Sequence, residues 1–110
     1  MKNICVKDDI LFLEIDSKQD ATANVKKIQN VINNLSFKKV YINLCGLNMF
    51  DAIKISSLIC AYGLTDDIHR KFEILTDNKV VMGHIRLLGL SNMNVSCENS
   101  QRDTLLNVLN

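Results

Sequence analysis

The stretch VYINLCGLNMFDAIKISSLICAYG, from Val40 to Gly63, constrains the fold more than any other part of the chain. Val40, Ile42 and Leu44 alternate with Tyr41, Asn43 and Cys45. A period of two in β-branched and aromatic residues predicts a strand over 39–45. Gly46 ends it, and Gly46-Leu47-Asn48 forms a turn. Asp51 offers a side-chain oxygen to the free amides of a following helix, in which Ile55, Leu58, Ile59 and Tyr62 keep helical spacing and Gly63 supplies the C-terminal cap. A buried strand, a tight turn and an apolar helix in one run set a frame around which the rest of the chain is built.

The flanking segments fit that frame. Asn3 to Val6 alternate, Lys7-Asp8-Asp9 is a polar turn, and Ile10 to Ile15 is apolar on both parities. That pattern predicts a hairpin whose second strand is covered on both faces. From Asp20, the residues Ala21, Val25, Ile28, Ile32 and Leu35 recur at helical spacing with polar residues between them, which predicts an amphipathic surface helix. Leu64 to Lys71 reads as a solvated connection and Phe72 to Leu75 as a strand. Thr76-Asp77-Asn78 is a capping region for a helix with Val81, Ile85 and Leu88 on one face, closed by Gly89. Met93, Val95 and Cys97 alternate as a last strand, and Ser100 with Asp103 suits a capping box for a final helix bearing Leu105, Leu106 and Leu109. The expected class is therefore α/β, in the order β-β-α-β-α-β-α-β-α. Single helices between later strands imply right-handed crossovers and a mixed, mostly parallel sheet of four to five strands, with an antiparallel hairpin at one end.

The central segment, with its hydrophobic strand, short loop, hydrophobic-Asp pair at Phe50-Asp51 and helix, resembles the corresponding segment of STAS domains. These are the domains of bacterial anti-sigma factor antagonists and of sulfate-transporter cytoplasmic regions. Ile85-Arg86-Leu87-Leu88-Gly89-Leu90 is similar to the helix end that precedes the last strand of that family, and Glu14-Ile15-Asp16 is an echo of its first turn. The element order and length extend the likeness over essentially the whole chain. In phospho-regulated members the Asp is followed by Ser-Ser-Gly-Leu, and the first serine takes the phosphate. Here Asp51 is followed by Ala52, Ile53, Lys54 and Ile55, so the resemblance implies the fold without the phosphorylation switch.

Length and composition narrow the function classes. At 110 residues the chain suits one domain, residues 1–110, able to bury roughly two thirds of its unfolded surface. Thirteen basic and twelve acidic residues leave a formal charge of +1, which gives no electrostatic drive toward nucleic acid or anionic lipid. No run approaches the ~18 apolar residues of a membrane span, and acidic residues interrupt the N-terminal segment where a secretory signal would need an apolar core. A cytoplasmic protein without membrane insertion is expected. Cys5, Cys45, Cys60 and Cys97 form no C-x-x-C pair, so free thiols buried in apolar runs are expected rather than a zinc site. His69 and His84 stand alone. There is no G-x-S-x-G, P-loop or G-x-G-x-x-G motif, and the four glycines read as turns or helix ends, so neither catalysis nor a cofactor is expected.

What remains is an interaction module. Lys54 is the one charge between Asp51 and Asp66, and a helix apolar nearly all round is either enclosed or docked. At ~100° per residue, Ile53, Ser57 and Cys60 fall opposite the inward stripe. The candidate partner-binding residues are Asn48, Met49, Phe50, Asp51, Ala52, Ile53 and Ser57. Asp51 doubles as helix cap and border of the partner-binding loop, the second role being what the resemblance implies. The resemblance further implies a protein partner, either a serine kinase of the anti-sigma type or, in a lipid-transport ABC complex, the transporter ATPase. The same face allows a homodimer. A small-molecule or nucleotide sensor is the reading from another class.

Overall fold

The computed structural model describes residues 3–34, 37, 39–65 and 70–97. Five strands and three helices alternate within them: β1 (Asn3–Lys7), β2 (Ile10–Glu14), α1 (Ala21–Asn34), β3 (Lys39–Asn43), α2 (Met49–Thr65), β4 (Phe72–Thr76), α3 (Lys79–Leu87) and β5 (Met93–Cys97). The strands form one sheet in the order β1-β2-β3-β4-β5. Only β1 and β2 are antiparallel, and every later pair is parallel. This is the mixed, mostly parallel α/β sheet with a terminal hairpin that the sequence predicts. The expected final helix at Leu105, Leu106 and Leu109, together with Leu35 and the stretch Asp66 to His69, lies outside the described residues.

Because each parallel strand is laid down beside its predecessor in sequence order, right-handed crossovers bring all three helices to one face of the sheet. The core follows that geometry. Leu11, Leu13 and Ile15 of β2 and its exit, Val40, Ile42 and Leu44, Phe72 and Ile74, and Val95 share one parity and pack under Ala21, Val25, Ile28 and Ile32 of α1, Ala52, Ile55, Ile59 and Cys60 of α2, and Val81 and Ile85 of α3. The opposite face carries a row that crosses all five strands: Cys5, Phe12, Tyr41, Glu73 and Asn94. Phe12 stacks on Tyr41 with ring centroids 5.1 Å apart and planes 12° from parallel. Lys39 lies 5.4 Å from the Tyr41 ring centre and 3.7 Å from Glu73. Tyr41, foremost, and then Glu73 raise the Lys39 pKa above its ordinary value.

Caps and turns explain where the elements stop. The hairpin closes through Asp8 and Asp9, both at positive φ (54° and 64°), the backbone of a two-residue type I′ turn made here without glycine. Asp20 caps α1 by accepting from Ala23 N at 2.8 Å. The buried Asn24 amide donates to the carbonyls of Asp16, Gln19 and Asp20, tying the β2 exit to the helix. Asn78 caps α3 through Val80 N and Val81 N, and Gly89, at φ +63°, turns the chain out of it.

Helix α2 departs from expectation in three ways. It begins two residues before Asp51 and runs two residues past Gly63, so neither residue is its cap. Gly63 lies inside the helix because a Cβ there would stand 2.5 Å from Phe72 Cε2. The buried face is also rotated: Ala52, Ile55, Ser56, Ile59, Cys60 and Gly63 face inward, so Leu58 of the expected inward stripe is 42% exposed and Cys60, which spacing sets opposite that stripe, is 0% exposed. Small side chains at Ala52, Ser56 and Gly63 let the helix axis approach the sheet, and this close approach outweighs the larger Leu58. Gly83 likewise lies within α3 rather than at a helix end. Of the cysteines expected to be buried, only Cys60 is; Cys5, Cys45 and Cys97 are half-buried, and all four are free.

Candidate functional site: the loop and first turns of α2

The C-terminal ends of β3 and β4 and the starts of α2 and α3 meet at one end of the molecule. The β3 exit is shaped by its own side chains. Asn43 Oδ1 accepts from Cys45 N at 2.9 Å, and Leu47 N returns to Leu44 O at 3.2 Å around Gly46, whose φ is +87°. Asp77, from the β4 exit, reaches across to Gly46 N at 3.4 Å.

Asn48 is the cap that sequence reasoning assigned to Asp51. Its Oδ1 accepts from Asp51 N at 2.8 Å, its backbone carbonyl accepts from Ala52 N at 3.0 Å, and its Nδ2 donates to Asp51 Oδ2 at 3.1 Å. The pair is a side-chain variant of a capping box, in which cap and third helical residue hold each other. Asp51 therefore sits in the first turn, where its charge complements the helix dipole. The loop leading into α2 is thus held at both ends.

The seven candidate residues divide by exposure. Phe50 is 74% exposed, second only to Leu87 among the large apolar side chains of the described residues, and Asn48 is exposed beside it. Met49 and Ile53 are half-buried against the core, Asp51 is half-buried, and Ser57 is half-buried with its hydroxyl donating to Ile53 O at 2.8 Å. Ala52 is 0% exposed, so no partner can touch it, and it leaves the surface set. The outward stripe of α2 is Phe50, Lys54, Leu58, Ala61 and Leu64. Leu58 and Leu64 belong to it, and sequence spacing had placed Leu58 inside. Val80, 58% exposed in the first turn of α3, lies at the same end of the molecule as Phe50. It was legible as a residue off the Val81 and Ile85 stripe.

The remaining chemistry lies elsewhere. Burial pushes the Cys60 thiol up to about 12, which keeps it protonated and unreactive near neutrality. His84 is exposed on α3. Among the described residues, no group of three His, Cys, Asp or Glu side chains is placed to hold a metal ion, and no helix is long and apolar enough to cross a membrane. A pocket of about 250 Å³ lies between the end of α3 and β5, lined by Arg86, Gly89, Leu90, Met93, Asn94 and Val95, away from the α2 loop. Strand order follows chain order, so the described strands have no point of reversal. No family model, curated protein or solved structure matches the chain.

Proposed function

We propose that this chain is a STAS-like protein-interaction module that docks a protein partner in the cytoplasm through the loop and outward stripe of α2. The observation that carries the reading is Phe50, a large apolar side chain left 74% exposed in the first turn of a helix whose entry is locked by the Asn48–Asp51 pair. A rigidly presented aromatic is what interface anchors consist of, because little side-chain freedom is lost when it docks. The order of elements along the chain, a hairpin followed by alternating helices and strands, supports the family reading, since it is the order that reading expects.

The partner is of the anti-sigma serine-kinase class, and binding is constitutive. Ala52 and Ile53 carry no hydroxyl where regulated members are phosphorylated. Ser56 is fully enclosed, and the hydroxyl of Ser57 is engaged by Ile53 O. Phosphopeptide mass spectrometry after incubation with the captured partner and ATP is expected to find residues 52–57 unmodified.

The test is differential capture by crosslinking in host cytoplasm with wild-type bait, Phe50→Asp and, as a control on α3, Leu87→Asp, since Leu87 is 82% exposed. A kinase-type regulator held by wild type and Leu87→Asp but lost with Phe50→Asp supports the reading. A partner held equally by all three, or a transporter ATPase in its place, overturns it.

A further inference from the structure

The sheet has two edges, and the molecule treats them differently. At the β5 edge a guanidinium stands guard: Arg86 Nη2 donates to Val95 O at 3.3 Å, a charged side chain of the kind that discourages strand addition. At the β1 edge the one charged side chain of the strand is Lys7, at its turn end. β1 runs unbulged against β2 for its whole length, and its Ile4 and Val6 are each 52% exposed. These two lie on the same face as Leu13 and Leu11, their partners across the strand, which are 1% and 0% exposed. The apolar core thus runs out to β1, and no described helix covers it there.

The hairpin fixes which backbone groups β1 offers. A two-residue turn makes Lys7 and Ile10 the hydrogen-bonded pair that closes it, and alternate pairs exchange hydrogen bonds from there. Lys7, Cys5 and Asn3 therefore direct their amides and carbonyls toward β2, while Ile4 and Val6 direct theirs outward.

We propose that β1 is a self-association edge, at which a second copy of this chain pairs antiparallel to form one continuous ten-stranded sheet about a two-fold axis at Cys5. One register matches all five residues of the strand. Ile4 stands opposite Val6 of the second copy and Val6 opposite its Ile4, the two outward-bonding residues meeting in hydrogen-bonded pairs and closing four half-exposed β-branched side chains into one cluster. Asn3 stands opposite Lys7, so no like charges oppose each other, and Lys7 comes one strand away from Glu14 of the second copy, which neighbours Asn3 on the same face. A shift of two residues sets Ile4 against Asp8 in one direction and Val6 against Lys2 in the other. Cys5 faces its own copy as a non-hydrogen-bonded pair, with Cα atoms about 4.5 Å apart, within the roughly 4.4–6.8 Å that a disulfide spans. A five-residue edge buries less than the roughly 800 Å² per partner of a long-lived complex, so the dimer exchanges rapidly and forms in the micromolar range or above.

Sedimentation equilibrium over a concentration series, together with thiol trapping, tests it. Diamide takes two electrons and two protons from a pair of opposed thiols and leaves one disulfide. The expected product is a covalent dimer whose peptide map shows Cys5 joined to Cys5, absent from Cys5→Ser. The double variant Ile4→Lys, Val6→Lys opposes lysines across the axis and is expected to weaken the dimer tenfold or more with its circular dichroism unchanged. A protein that sediments as a monomer throughout, crosslinks through Cys45 or Cys97 rather than Cys5, or a dimer undiminished in the lysine variant overturns the proposal. If the lysine variant does not fold, the position of the trapped disulfide in the unaltered protein decides.

Discussion

Gly63→Ala is the most informative single substitution, because two opposing effects of known size meet at it. Gly63 lies inside α2, where alanine would ordinarily stabilise a helix by about 1 kcal/mol. The Cβ would, however, stand 2.5 Å from Phe72 Cε2, 3.0 Å from Asn92 Nδ2 and 3.2 Å from Arg70 O. Phe72 is 1% exposed and cannot swing aside without disturbing the core, and overpacking of this kind costs about 1–3 kcal/mol. Asn92 cannot give way freely either, since its amide donates to Cys60 O at 2.8 Å and Arg70 O at 3.0 Å, and loss of one such bond in a buried site costs about 1–3 kcal/mol. Packing loss outweighs propensity gain, so Gly63→Ala is expected to destabilise by about 2–3 kcal/mol. Gly83→Ala in α3 is the control, because a Cβ there meets nothing within 4 Å and only the propensity gain of about 1 kcal/mol remains. Urea unfolding midpoints measure both. Combining Gly63→Ala with Phe72→Leu, which shortens the obstructing ring, should cost less than the sum of the two. A neutral or stabilising Gly63→Ala, or strict additivity with Phe72→Leu, would refute the claim that glycine is there to let the helix approach β4.

Ala52→Glu is expected to destabilise by about 3–5 kcal/mol, since it places an uncompensated carboxylate at a fully enclosed position, whereas Phe50→Glu should leave the urea midpoint within about 0.5 kcal/mol. Equal effects at the two positions would mean that the face of α2 has been misassigned. Cys60 predicts an alkaline loss of stability. Its unfolded thiol ionises from 9.0 while the folded one is held to about 12, so stability is intact below pH 9 and falls by up to about 1.4 kcal/mol per pH unit above it. Cys60→Ala should flatten that slope in denaturation measured between pH 8 and 11, and an unchanged slope would rule out a buried thiol as its source. Asp8→Asn combined with Asp9→Gly puts the preferred residues at two left-handed positions and should raise stability by about 1 kcal/mol by the same assay, a decrease counting against the type I′ turn.

Much of the fold was legible because its signals are local and agree with one another. The alternation of Val40, Ile42 and Leu44 fixes both the strand and its inward face, and all three are buried. Ala21, Val25, Ile28 and Ile32 bury the stripe their spacing predicts. The sequence Asn78 to Gly89 holds a cap at each end, and Val81 and Ile85 of the expected face are buried, although Leu88, at the helix end, is 37% exposed. The hairpin could be read from its polar turn, although the left-handed backbone at both aspartates could not, since glycine or asparagine is the usual mark of such a turn.

The candidate site was less legible, and α2 shows why. When Ile53, Ile55, Leu58, Ile59 and Tyr62 surround a helix, periodicity no longer distinguishes inside from outside, and the larger side chains were read as the inward ones. The structure selects the opposite criterion. Where a helix must lie close over a parallel sheet, Ala52, Ser56 and Gly63 face inward because they are small, and Leu58 is turned out because it is not. The same rotation moves the helix cap from Asp51 to Asn48, because a start at Met49 brings Asn48 within reach of the Asp51 amide. It also turns Phe50 outward and Ala52 inward, although the two are only two residues apart. A docking surface on this helix is therefore the stripe left over once close packing has taken the small residues, so substitutions chosen by size at 52, 56 and 63 test the fold, and those at 50, 58 and 64 test binding.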